Sequence, residues 1–125
     1  MDATNHFLCQ IKARIQAKST VEEGSTCTLW QGALTSDKRY GRMAVTSKKT
    51  DTVHRLVLMV KLNSLELPKY NDTGEKLEAS HLCGKSLCTN PEHLVLESHE
   101  DNMARLTCHN QKFCSNCHQP PCIIA

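Results

Sequence analysis

Large aromatic side chains are scarce in this 125-residue chain, which has one Trp, two Tyr and two Phe. A domain of this length buries only a modest core, and one short of bulky rings usually needs another staple. No stretch approaches the ~20 apolar residues of a membrane span, so no membrane partner is expected. The start, Met1-Asp2-Ala3-Thr4-Asn5-His6, has neither a basic patch nor an apolar run. It therefore lacks the marks of a secretory signal, and an intracellular location, in nucleus or cytoplasm, is expected. No internal repeat is visible, and the length suits a single domain over residues 1–125.

Cysteine is abundant instead: Cys9, Cys27, Cys83, Cys88, Cys108, Cys114, Cys117 and Cys122. Thiols interleaved with histidines in an intracellular chain favour zinc over disulfides. The formal charge is +2 with thiols neutral. Each Cys3His zinc site, three thiolates on a dication, subtracts one charge, so two sites bring the total to zero. Global charge thus gives no argument for nucleic acid. The local pattern says more, because residues 37–55 hold Lys38, Arg39, Arg42, Lys48, Lys49 and Arg55 against only Asp37 and Asp51. This is a candidate phosphate-facing segment, or a solvated hairpin face.

Three segments emerge along the chain: an N-terminal helical part (residues 1–24), a central part (25–107) and a Cys-rich tail (108–125). Phe7, Leu8, Ile11 and Ile15 share one face of a helix over residues 4–18, with Thr4 as its cap. Strands are expected from Thr26 to Leu29 and from Lys38 to Thr46, with Ser47 to Asp51 as a turn. Thr52 would cap a helix over residues 53–62 that buries Leu56, Val57 and Val60, with Leu65 extending the stripe. Pro68 and Asn71 to Gly74 make a loop. A short strand over residues 77–82 leads into Cys83, and Leu94 to Leu96 form another. Ser98, with Asp101 three residues on, then caps a helix to about Leu106. Strand, Cys/His loop, strand and helix make a ββα unit in an α+β domain.

Cys83-x4-Cys88-x4-His93 supplies three soft or borderline ligands within eleven residues. Structural zinc takes four in a tetrahedron. Cys27 is the expected fourth, since it leads a strand and would tie the N-terminal half to the ββα unit. Cys9 is the alternative, but a helical Cys on an apolar face usually packs as a small hydrophobe. The tail offers five ligands for four positions: Cys108, Cys114 and Cys122 with either Cys117 or His118. Spacing leaves that choice open. The ending Cys122-Ile123-Ile124-Ala125 also fits a prenylation pattern. No polybasic second signal precedes it, and lipidation would remove a zinc ligand, so zinc is the expected use of Cys122.

His81 lies two residues before a metal ligand, and Asn102 opens the helix after the knot. A structural ion there would fix the distance between them, as a preorganised site requires. A neutral imidazole can take a proton from water. An amide oxygen suits Mg2+, which keeps most of its waters and takes phosphate oxygens as partners.

The block from Ala79-Ser80-His81-Leu82-Cys83 through Cys88, Asn90-Pro91, His93-Leu94, Glu97-Ser98 and Asp101-Asn102 resembles the His–Cys box homing endonucleases of the ββα-metal (HNH-like, His-Me finger) nuclease superfamily. The likeness covers roughly residues 27–122. It implies a small zinc-stabilised ββα-metal nuclease fold with two structural zinc sites. It implies a Mg2+-dependent endonuclease acting on DNA, with His81 as general base and Asn102 as the protein ligand of one catalytic Mg2+. Arg42 would contact the scissile phosphate, since it lies twelve residues before the His54 of Val53-His54-Arg55, as the family's arginine does. The first zinc site maps onto Cys27, Cys83, Cys88 and His93. The second, which ends in His-x3-Cys in the family, maps onto Cys108, Cys114, His118 and Cys122, with Cys117 in reserve.

Two departures shape the expectation. The stretch from Cys27 to Arg42 is shorter than the β-ribbons with which homing enzymes read the major groove, so fewer base contacts and relaxed specificity follow. The sequence stops three residues after Cys122, where homing enzymes carry a tail exchanged between subunits. A homodimer would therefore form without that exchange. The rival readings are a zinc-stapled module that binds nucleic acid or protein without cutting, and a nonspecific nuclease acting on DNA and RNA. A pure module has no use for His81 and Asn102 beside the knot.

Overall fold

A computed structural model describes residues 3–112 and 118–124. Three helices and three two-stranded antiparallel ladders make up the described fold. Helix α1 (Ala3–Ala17) turns its Leu8, Ile11 and Ile15 stripe inward. Strands β1 (Ser19–Val21) and β2 (Thr28–Trp30) pair next, followed by β3 (Arg42–Thr46) and β4 (Lys49–Thr52). Helix α2 (Val53–Leu62) follows directly, then β5 (Leu77–His81), a 3-10 turn (Pro91–His93), β6 (Leu94–Ser98) and α3 (His99–Gln111).

The core forms where α1 and α2 meet. Leu8, Ile11 and Ile15 join Leu56, Val57, Leu58 and Met59, with Trp30, Met43, Leu67 and Leu94 around them. Trp30, the lone indole, is 3% exposed, and its Nε1 donates to the Ala33 carbonyl at 2.8 Å. Gly41 faces the ring so closely that a Cβ there would lie 2.6 Å from it. One buried aromatic thus locks the approach to the β3–β4 ribbon. Arg14 on α1 also holds the ribbon, donating to the Ala44 carbonyl at 2.8 Å.

Several local expectations need correction. Residues 38–41 are not strand: Lys38 has φ +60°, and Asp37 accepts from the Arg39 amide, so a tight turn precedes β3. The Ser47–Asp51 turn is shorter than its polar residues suggest, because Lys49–Thr52 pairs with β3. Strand β1 was missed, since three residues carry too little alternation to read. Thr4 lies inside α1 rather than capping it. Thr52 occupies the N-cap of α2, but its hydroxyl makes no capping bond and is buried without a partner. Leu65 is 46% exposed, outside the α2 stripe. Helix α3 runs to Gln111, past the expected end at Leu106.

Candidate metal centres and the cleft beside them

The loop between β5 and β6 is stitched into place by its backbone. Thr89 N–H donates to Thr28 O at 2.6 Å, Trp30 N–H to Leu87 O at 2.8 Å, and Leu82 N–H to His93 O at 2.7 Å. These bonds draw β2 against the loop and carry Cys27 to Cys83, Cys88 and His93. The four donor atoms lie within 4.8 Å of one another. His93 Nδ1 stands 3.5 Å from Cys27 Sγ and 3.4 Å from Cys88 Sγ. A tetrahedral zinc with bonds of about 2.3 Å to sulfur and about 2.0 Å to nitrogen sets that edge near ~3.5 Å. The donor set and its spacing therefore fit zinc. Thr26 Oγ1 lies 2.8 Å from His93 Nε2, orienting the ring from outside. Cys9 is exposed on α1, neither a ligand of this cluster nor the buried hydrophobe that the sequence suggested.

Without a cation the three thiols of one buried knot cannot all ionise. The hydrogen-bonded partner Cys88, then burial, pushes the Cys83 thiol up. Burial pushes Cys27 up as well, while the Cys83 hydrogen bond pulls Cys88 down to about 4. A dication resolves that conflict.

The second cluster joins α3 to the tail. Cys108, His118 and Cys122 present donor atoms within 4.8 Å of one another, with Cys108 Sγ at 3.3 Å from His118 Nε2. This arrangement includes His118. Cys114 and Cys117 lie outside the described residues. Ile123 N–H donates to Leu82 O at 2.8 Å, so the tail is laced back to the first knot. Between the clusters lies a buried ion pair that the sequence did not disclose. Arg105 Nε donates to Glu97 Oε2 at 2.6 Å and Nη2 to Oε1 at 2.9 Å, with the two side chains 2% and 8% exposed. Arg105 Nη1 also donates to Cys122 Sγ at 3.4 Å.

His81, at the end of β5, and Asn102, in the first turn of α3, line one small cleft with Arg39, Tyr40 and His109. His81 Nε2 lies 3.2 Å from the Cys88 carbonyl, which can only accept, so Nε2 carries the proton and Nδ1 keeps its lone pair. Burial, then the neighbouring His54, lowers the His81 pKa to about 4. The ring is neutral at pH 7. It is tilted against His54 at 5.3 Å, and His54 stacks on Tyr40 at 4.8 Å. Asn102 is held by two β5 side chains on one face. Glu78 Oε1 accepts from Nδ2 at 2.6 Å, which fixes the amide's orientation, and Ser80 Oγ donates to Oδ1 at 2.8 Å. Oδ1 has a second lone pair left. His109 Nε2 donates to the Leu82 carbonyl at 2.8 Å and packs over Gly84.

The basic residues of the ribbon divide. Arg39 reaches the cleft and lies over the Tyr40 ring at 5.6 Å. Arg42 is exposed on β3 with its Nε donating to Leu34 O at 2.8 Å, and it does not line the cleft. Lys38, Lys48 and Lys49 are exposed, and Arg55 pairs with Asp51 at 3.4 Å. Tyr40, Glu78, Ser80 and His109 were missed by the sequence reading. The alternation Glu78–Ser80 on one strand face was the available signal.

A β5–loop–β6–α3 unit pinned by Cys/His clusters, with a His and an Asn in the adjoining cleft, has the fold of the zinc-stabilised His-Me (ββα-metal) class. The family model described as the zinc-binding loop region of homing endonuclease matches residues 9–125, and the chain belongs to that family. No curated protein and no solved structure matches it. Among the described residues, no helix is long and apolar enough to cross a membrane.

Proposed function

We propose that the protein is a single-domain, Mg2+-dependent DNA endonuclease, working inside the cell where its thiols stay reduced. The observation that carries this reading is the shared cleft. His81 offers a neutral ring with its proton placed on Nε2, and Asn102 offers a carbonyl oxygen with a lone pair to spare. The Cys88 carbonyl takes up Nε2 of His81, and that leaves Nδ1 outside the first knot. His81 Nδ1 takes the proton of a water that attacks the phosphorus, and the 3′ oxygen departs. Asn102 Oδ1 is the ligand for a hard cation, and Glu78 and Ser80 keep it aimed. A magnesium ion bound there would offset the charge that develops on the phosphate and the leaving oxygen. Arg39 and Arg42, with Lys38, Lys48, Lys49 and Arg55, supply positive charge for the DNA backbone. Cys27, Cys83, Cys88 and His93 hold one structural zinc. Cys108, His118 and Cys122 hold the other, with Cys114 as the fourth ligand and Cys117 in reserve.

The test is nicking of supercoiled plasmid by zinc-loaded protein with and without Mg2+. Relaxation of the plasmid only in the presence of the divalent cation supports the reading. Intact plasmid across Mg2+, Mn2+ and Ca2+ overturns it in favour of a binding module.

A further inference from the structure

A second groove, of about 740 Å³, opens at the other end of β5 between β4, α2 and the segment that follows α2. Four cations line it, Lys49, Arg55, Lys69 and Lys76, against two carboxylates, Asp51 and Glu66. Asp51 is already paired with Arg55. Tyr70, 62% exposed, stands in the same groove.

Hydrogen bonds tie the groove's rim into a hairpin. Tyr70 and Lys76 are bridge partners, so both side chains leave the same face of a small hairpin. Leu77 N–H donates to Lys69 O at 2.8 Å and Asn71 N–H to Glu75 O at 2.9 Å. Asn71 Oδ1 accepts from the amides of Thr73 and Glu75 at 3.0 and 2.9 Å. The Tyr70 ring, largely exposed beside Lys76 on this hairpin, adds little to the core. Its face is open to a ligand in the groove.

The strand connects this groove to the cleft. Side chains alternate along β5, so Leu77, Ala79 and His81 share one face. Leu77 lines the groove, whereas Ala79 and His81 line the cleft. Four residues of strand span about 13 Å, so a single duplex is long enough to touch both the groove and the cleft.

We propose that Lys69, Lys76 and Tyr70 form an accessory backbone site that grips DNA flanking the cut. This inference rests on the nuclease reading above. The lysines meet phosphates, and the Tyr70 ring packs on a deoxyribose. The site reads no sequence and adds affinity, compensating for the short ribbon.

The experiment measures binding of zinc-loaded protein to a fluorescent 30-base-pair duplex, with Ca2+ replacing Mg2+, over a salt series. Each lost phosphate contact lowers the slope of log affinity against log salt by about 0.9, so Lys69→Ala/Lys76→Ala should lower it by about 1.8. The advantage of wild type over this variant should then be roughly twelvefold larger at 50 mM than at 200 mM salt. Lys12→Ala/Lys18→Ala, the same charge change on the other side of the core, should leave the slope near wild type. Tyr70→Ala should weaken binding where Tyr70→Phe preserves it. If wild type binds and the groove pair behaves like the Lys12/Lys18 pair, the accessory site is wrong and the nuclease reading stands. If wild type binds no duplex, both fall.

Discussion

Replacing Glu97 by Gln should cost more stability than any surface change in the protein. The carboxylate and its partner Arg105 are 8% and 2% exposed, and two bonds of 2.6 and 2.9 Å join them. A charge-assisted hydrogen bond contributes about 1.5–3 kcal/mol, and breaking a buried pair leaves an uncompensated charge, so a loss of about 3–5 kcal/mol follows. Small domains have only about 5–15 kcal/mol in all. Arg105→Met should cost a similar amount. The double variant Glu97→Gln/Arg105→Met should cost clearly less than the two single losses together, because no orphan charge remains. Equilibrium urea unfolding in saturating zinc, followed by circular dichroism, measures all three. Single losses under about 1 kcal/mol, or strict additivity, would refute the reasoning. The pair also matters for the cleft. Arg105 lies three residues after Asn102 on α3, so it sets the helix rotation that aims the amide.

Strong chelators should unfold the domain by removing zinc, whereas withdrawing Mg2+ alone should stop cleavage and leave the circular dichroism spectrum unchanged; native structure in the zinc-free protein would contradict this. His54 gives a pH dependence. Burial, then Arg55, lowers its pKa from 6.5 to about 4, so folded and unfolded chains both carry a neutral ring above pH 6.5 and stability there is full. As pH falls toward 4 the unfolded chain takes up the proton first, and about 3 kcal/mol is lost. His54→Phe should lose less stability than wild type over that window, in urea titrations at fixed zinc. Gly84 has φ +73°, and a Cβ there would lie 2.8 Å from the His109 ring. Gly84→Ala should therefore destabilise by about 1–3 kcal/mol and shift the cleft wall, read as a lower melting temperature and slower cutting.

Periodicity made the helices legible. The α2 bounds, 53–62, match the expectation, and Ser98 caps α3 by accepting from the Asp101 amide at 3.2 Å. The far end of α3 was hidden because Thr107, His109, Asn110 and Gln111 show no apolar stripe, and only Cys108 and Arg105 turn inward. A buried arginine reads as a surface residue in any pattern argument. Ligand spacing made the first cluster legible, whereas Cys27 depended on a strand pairing that spacing alone does not reveal. The same holds for Asn102. Its place in the helix could be read from Ser98, but its partners Glu78 and Ser80 come from a strand more than twenty residues away. Charge marked the ribbon correctly as exposed and basic, yet it could not say that Arg39 rather than Arg42 lines the cleft.

The most direct test is Mg2+-dependent plasmid nicking by wild type, His81→Ala and Asn102→Ala, each confirmed to hold its full zinc complement. Wild type should cut, and both variants should lose at least about a hundredfold in rate with their folds intact. Variants that cut like wild type would contradict the assignment of His81 as base and Asn102 as cation ligand.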